Sequence, residues 1–203
     1  MELWPGVKLL EPKIFNMQNI EPYYQWRHLY TAEEDPLSPF YGRTYSEFEF
    51  SQTVYNYYIH PQWDEFGSNT LYLKILFTDY EEGYTIIEFL GEWNDAIGND
   101  IMMLKREVID LLIREGIRKF ILITDNVLNF HTSDDSYYEE WNEDLMEDGG
   151  WVVMLNMPEH LQRELRSAGI NRYVFFQEYE EWRTHQPPIV LQKVEEQILK
   201  RIG

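Results

Sequence analysis

Residues 149–176 read GGWVVMLNMPEHLQRELRSAGINRYVFF, and their punctuation decides the fold class. Gly149 and Gly150 break the chain. WVVML is a strand-length apolar run. Asn156 is placed to cap a helix whose first position is Pro158, where a missing N–H costs nothing. Leu161 and Leu165 stand four apart and share one helical face. Gly169 ends the helix, because glycine enters the left-handed conformation without a steric penalty. Tyr173–Phe176 then opens a second buried run. The order is strand, helix, strand.

The same grammar extends in both directions. TLYLKILFT (70–78) and YTIIEFLG (84–91) are strands joined by a DYEEG hairpin loop. Over 99–115, Ile101, Leu104, Val108, Leu111 and Leu112 fall at helical spacing, and Gly116 stops the run. KFILIT (119–124) is a compact apolar strand of the kind buried on both faces. Residues 135–148 form an acidic helix with Tyr138, Trp141 and Leu145 as its inner stripe. After Pro187 and Pro188, Val190, Val194 and Ile198 lie four apart, so 188–202 is a final helix. Its basic residues sit near the C-terminus, where the helix dipole favours them. Upstream, 44–59 (TYSEFEFSQTVYNYYI) alternates like a strand and implies a Tyr-rich antiparallel extension. Residues 1–43 are irregular and punctuated by proline. Their aromatics, Trp4, Phe15, Tyr23, Tyr24, Trp26 and Tyr30, imply an arm that covers its own sheet or a second subunit.

Composition excludes several classes. The chain has 203 residues, 44% of them hydrophobic, which is enough for a real core. Its formal charge of −19 repels phosphate backbones and anionic headgroups, so neither nucleic acid nor a membrane surface is an expected partner. A basic protein partner fits the charge, as does plain solubility. There are no cysteines, which removes disulfides and thiolate chemistry. The N-terminal stretch lacks the apolar region of a secretory signal, and no apolar run reaches the roughly 20 residues of a spanning helix. A cytoplasmic protein is expected.

Several of these segments together resemble the STAS domain, the family of the anti-sigma-factor antagonists, over about residues 84–182. YTIIEFLGEWNDA resembles the family's opening strand and turn, with Gly91, Glu92 and Asp95 at the marked places. The helix at 99–115, the strand KFILIT and the 149–176 unit follow in the family's order. VLNF (127–130) looks like the apolar run before the family's phosphorylation loop. That loop reads roughly Asp-Ser-Ser-Gly in the family, and a partner kinase phosphorylates a serine in it. Here His131, Thr132, Ser133 and Asp134 stand instead. The resemblance thus makes Ser133 and Thr132 the candidate phospho-switch. A phosphate there would meet Asp134 and Asp135 and an acid-rich helix, eight acids and no base over 134–148. Thr132 followed by Asp135 also reads as a capping-box-like helix start, worth on the order of 1 kcal/mol.

No catalytic constellation converges. The five histidines show no HxH or HExxH spacing. His131 with Asp134 and Asp135 lacks a further metal ligand in the local sequence, so a solvated loop is the simpler reading. The adjacent acids lie in polar surroundings that do not raise a carboxyl pKa. There is no P-loop, GxGxxG or GxSxG. The Tyr-rich segment with Trp63 and Phe66 suits core packing or a subunit interface more than base stacking.

The expected fold is α/β: a mixed β-sheet with helices packed on one face. It divides into an N-terminal arm and β extension (1–83), a STAS-like domain (84–182) and a C-terminal helix (183–203). The resemblance implies a non-enzymatic protein-interaction module of a bacterial regulatory pathway, with no cofactor and no metal. Partner docking is expected at His131, Asp134, Asp135, Tyr138 and Trp141. The alternatives are a structural homo-oligomer built through the aromatic first half, and a small-molecule or lipid binder.

Overall fold

The computed structural model describes residues 20–202, except Glu47 and Asn56 and the side chains of the last two residues. Trp4, Phe15 and the early prolines of the arm lie outside the described residues. Among the described residues seven strands are present: β1 (Thr53–Val54), β2 (Tyr57–Tyr58), β3 (Leu71–Asp79), β4 (Tyr84–Asn94), β5 (Lys119–His131), β6 (Trp151–Leu155) and β7 (Phe175–Gln177). β3 to β7 form one mixed five-stranded sheet in sequential order. The β3–β4 pair is antiparallel and the remaining pairs are parallel. The hairpin between β3 and β4 turns where Asp79 Oδ1 accepts from the N–H of Glu81 and of Glu82.

Each parallel step needs a crossover, and helices supply it. α1 (Asp100–Leu104) continues through a π-helical turn (Lys105–Ile109) into α2 (Asp110–Arg114). α3 (Ser136–Met146) joins β5 to β6, and α4 (Glu159–Ser167) joins β6 to β7. These helices pack on one face, against Ile87, Phe89, Phe120, Leu122, Val152 and Met154. The alternate residues of the same strands, Ile86, Ile121, Ile123, Val153 and Leu155, point to the opposite face. That face is also covered. The final helix α5 (Pro187–Ile202) lays Val190, Val194 and Ile198 on it, together with Trp182. The expectation of helices on one face therefore holds for the crossovers and is corrected for α5. Strands apolar on both faces need cover on both.

Three further local readings change. The alternation over 44–59 yields only the two-residue strands β1 and β2, and the rest of the described stretch is irregular. Tyr45 does not lie in a ladder. Its hydroxyl donates to Asp64 (2.6 Å) and its ring receives Lys74 Nζ at 4.0 Å. Asn156 does not cap α4. It adopts φ 56°, accepts from the Tyr179 N–H (2.6 Å) and donates to the Tyr179 carbonyl (3.1 Å), and Pro158 holds the cap position. The KFILIT strand does not end at Thr124, because β5 runs on through VLNF to His131. Of the arm, Tyr23 and Trp26 pack edge-on against Trp182 of the same chain, so these rings cover the chain's own sheet.

Candidate functional site

The segments matched to the family's opening turn and phosphorylation loop meet at the C-terminal ends of β4 and β5, the end at which parallel α/β sheets place their sites. β4 reaches this end through Gly91, at φ 123°. A Cβ there would stand 2.1 Å from the Thr70 carbonyl oxygen, so the close pass of the chain before β3 requires glycine. The last register pair of the two strands is Asn94 with His131. Beyond it the His131 carbonyl accepts from the N–H of Asp95 (2.9 Å) and of Ala96 (3.1 Å). The 95–99 loop is thereby tied to the start of the 131–135 loop. Asp100 closes it from the other side by accepting the Asn94 N–H (2.7 Å). Ile97, at its tip, is 90% exposed.

Asp95 is the buried centre of this end. Three donors reach its carboxyl: Trp93 Nε1 (2.9 Å), the Ile101 N–H (2.9 Å) and the Tyr138 hydroxyl (2.8 Å). It therefore joins the end of β4, the start of α1 and the first turn of α3. Burial pushes its pKa up from 3.8 to about 7, against the pull of the three hydrogen bonds, and the neighbouring Asp100 adds to the rise. Burial likewise raises the Tyr138 hydroxyl well above its ordinary value. Below pH 7 both groups are neutral, and near pH 7 the carboxyl stands between its two forms while the Tyr138 hydroxyl keeps its proton and donates.

The outer layer is polar. His131 is exposed, and its Nε2 lies 3.0 Å from Asn129 Nδ2. Thr132 is half-buried and Ser133 is exposed. Asp134 Oδ1 accepts from the N–H and the hydroxyl of Ser136, which pulls its pKa down. The capping box expected from Thr132 and Asp135 is thus replaced by a turn closed by Asp134. Asp135 stands at the cap position without a side-chain cap bond and pairs instead with Arg172 (2.6 Å). Tyr138 and Trp141 are core residues. Trp141 is fully buried with its ring edge-on to Phe120 at 5.2 Å. A side chain sealed in this way cannot touch a partner, so both leave the docking set, while His131, Ser133 and Asp134 remain at the surface.

Two more buried charges escaped the sequence reading. Lys105 has no exposure and points from the π-helical turn to Asp110, Asp144 (2.7 Å) and Glu140 (3.6 Å), tying that helix to α3. Glu88, on the opposite face, accepts from the Tyr23 N–H (2.7 Å) and from Arg183 (3.3 Å), and burial lifts it to about 7. The visible signal for Glu88 was an acid inside the apolar run YTIIEFL. Lys105 carried a weaker one, a cation at helical spacing from Ile101 and Val108. Among the described residues no three His, Asp or Glu side chains converge as a metal-sized cluster, and no helix is long and apolar enough to cross a membrane.

No family model and no curated protein matches the chain. Among solved structures, the chain is similar to the anti-sigma factor antagonist SpoIIAA in its unphosphorylated form, with 9% identity, 61% of this chain and 96% of that chain covered, and a TM-score of 0.45. The phosphorylated form of the Bacillus cell fate determinant SpoIIAA matches at 9% identity over 60% of this chain and 98% of that one, with a TM-score of 0.41. A Thermotoga maritima protein provisionally assigned as an anti-sigma factor antagonist is 14% identical over 61% of this chain and 92% of that one, with a TM-score of 0.41.

Proposed function

We propose that the chain is a non-enzymatic regulatory module of STAS-like build that docks a protein partner on the exposed end of β4 and β5. The carrying observation is the placement of the 131–135 loop. It presents the Ser133 hydroxyl and the Asp134 carboxylate to solvent, and the His131 carbonyl locks its base to the 95–99 loop. Residues about 84–182 are the working unit in this reading, and α5 adds a second cover. The docking set is His131, Ser133, Asp134 and Asp135, with Thr132 half-buried beside them.

Ser133 and Thr132 are the switch residues. Among the described residues the Ser133 hydroxyl makes only a 3.5 Å contact with the Asp134 carbonyl, which leaves it exposed for modification. A phosphate of about −1.5 to −2 on it would stand beside the Asp134 carboxylate that closes the turn onto Ser136. Repulsion there loosens the start of α3, so modification acts by releasing the loop rather than by ordering it.

Cross-linking mass spectrometry of the protein in its own cell, with phosphopeptide mapping of 120–150, tests the proposal. A partner cross-linked to 131–135, and a complex weakened by Ser133→Asp, are expected. An unmodified loop together with a complex indifferent to Ser133→Asp and Asp134→Lys would sink it.

A further inference from the structure

We propose that the groove between the outer face of the first crossover helix and the 39–43 and 65–67 segments binds a small organic cation, an apolar body carrying one protonated amine. Met103, Glu107 and Leu111 recur every fourth residue, one from each piece of that helix, and line one side of the groove. The two loop segments line the other side, and the space between holds about 580 Å³. Small-ligand sites span roughly 300–1,000 Å³, so the volume suits a compact molecule. The walls meet at Gly67, where a Cβ would stand 3.4 Å from Met103 Sδ. The middle piece of the helix is a π-helical turn, a rare geometry that recurs at functional sites.

The lining is apolar below and acidic at the rim. Phe40 and Phe66 are buried beneath the groove, while Met103 and Leu111 are half-buried in its wall. Glu65 and Glu107 are exposed on the rim, and neither carboxylate pairs with a cation or accepts a hydrogen bond among the described residues. Arg43, the cation of the lining, is already engaged. Its Nη1 donates to the buried Asp64 (3.2 Å), and its guanidinium lies over the Phe40 ring at 4.4 Å. The rim therefore keeps two uncompensated negative charges, on a chain that carries −19. Charge selects the occupant. An anion is repelled, and so is a second copy of the chain. Two carboxylates above an apolar floor do not make the oxygen shell of a calcium or magnesium ion. An amine on an apolar body meets both parts: its charge would stand at Glu65 and Glu107, and its body would replace water on Leu111 and on the adaptable thioether of Met103. The groove shares no lining residue with the 131–135 loop, so this site does not rest on the function proposed above.

The probe is naphthylethylamine, with naphthylethanol as its neutral counterpart and naphthylacetate as its anion, each titrated into the isotope-labelled full chain. The amine should shift the amides of 65–67 and 103–111 at about millimolar concentration, and bind roughly fivefold tighter than the alcohol. The acetate should not bind. Added salt should weaken the amine and leave the alcohol unchanged, since the rim is exposed. The double substitution Glu65→Gln with Glu107→Gln should abolish the preference for the amine without moving the melting temperature, because both side chains lie in solvent. Equal binding of the three probes, a preference that survives the double substitution, shifts confined to the acids of α3, or no shift at 65–67 and 103–111 would overturn the proposal. So would a capped Val-Lys-Val peptide that binds these residues more tightly than the amine, which makes a partner chain the occupant.

Discussion

Asp95→Asn should stabilise the protein strongly at pH 8 and distinctly less at pH 5. Asp95 faces two opposed influences. Burial favours its neutral form, and three hydrogen-bond donors favour its charged form. Burial wins, and the pKa rises from 3.8 to about 7. A carboxyl with a raised pKa in the folded state contributes stability that is complete below its unfolded value. That contribution falls as pH climbs from 3.8 toward 7, because the unfolded chain gives up the proton first. At about 1.4 kcal/mol per tenfold change in proton affinity, the interval corresponds to on the order of 4 kcal/mol.

Asparagine is the matched control, because it stays neutral at every pH. Its oxygen can accept from Trp93 and Ile101, and its amide can donate to a turned Tyr138 hydroxyl. Urea unfolding followed by tryptophan fluorescence at pH 5, 6, 7 and 8 isolates the carboxyl as the difference between variant and parent. Glu88 shifts the same way in both proteins and cancels. The difference should grow in the variant's favour by roughly 3 kcal/mol between pH 5 and pH 8. A difference that does not vary with pH, or one that favours the parent at high pH, would show that the three donors outweigh burial.

Trp141→Ala should cost about 3–5 kcal/mol in urea unfolding, because its indole is wholly buried on Phe120. Trp141→Phe should cost distinctly less, since it keeps most of the packing and deletes an indole N–H that has no acceptor among the described residues. Gly91→Ala should lower the melting temperature sharply, by more than about 2 kcal/mol in stability, as its Cβ would overlap the Thr70 carbonyl. Lys105→Met should cost less than Trp141→Ala in the same assay, because the carboxylates it leaves behind at Asp110, Glu140 and Asp144 are partly in water and remain solvated.

What was legible in the sequence was whatever local chemistry alone decides. WVVML, the Leu161–Leu165 face and Gly169 each made the element they imply, and so did Val190, Val194 and Ile198 of the last helix. What failed was decided by distant partners. The alternation over 44–59 looks like a ladder, but Tyr45 is drawn off by Asp64 and Lys74, which come from a turn and another strand. KFILIT reads as a strand ending at Thr124, where Asp125 and Asn126 interrupt the apolar run, yet pairing with β4 carries the strand across them. Asn156 has the residue type of a cap, but its side chain is held by Tyr179. Asp95 could be marked by position. That it would be sealed under Trp93 and Tyr138 depends on residues up to 43 positions away.

The buried and exposed parts of this end are separable, and the proposed function rests on that separation. Asp95, Tyr138 and Trp141 hold α3 to the sheet from inside. Ser133 and Asp134 lie outside that seal, and their hydrogen bonds are local ones. A change at 133 or 134 can therefore reshape the turn without cost to the core, whereas a change at 138 or 141 acts through stability before it acts on any partner. The acidic α3 sets the sign of the response. On the proposed function, added charge on the loop would meet charge already present and release the loop, and high salt should weaken that response because these charges face solvent.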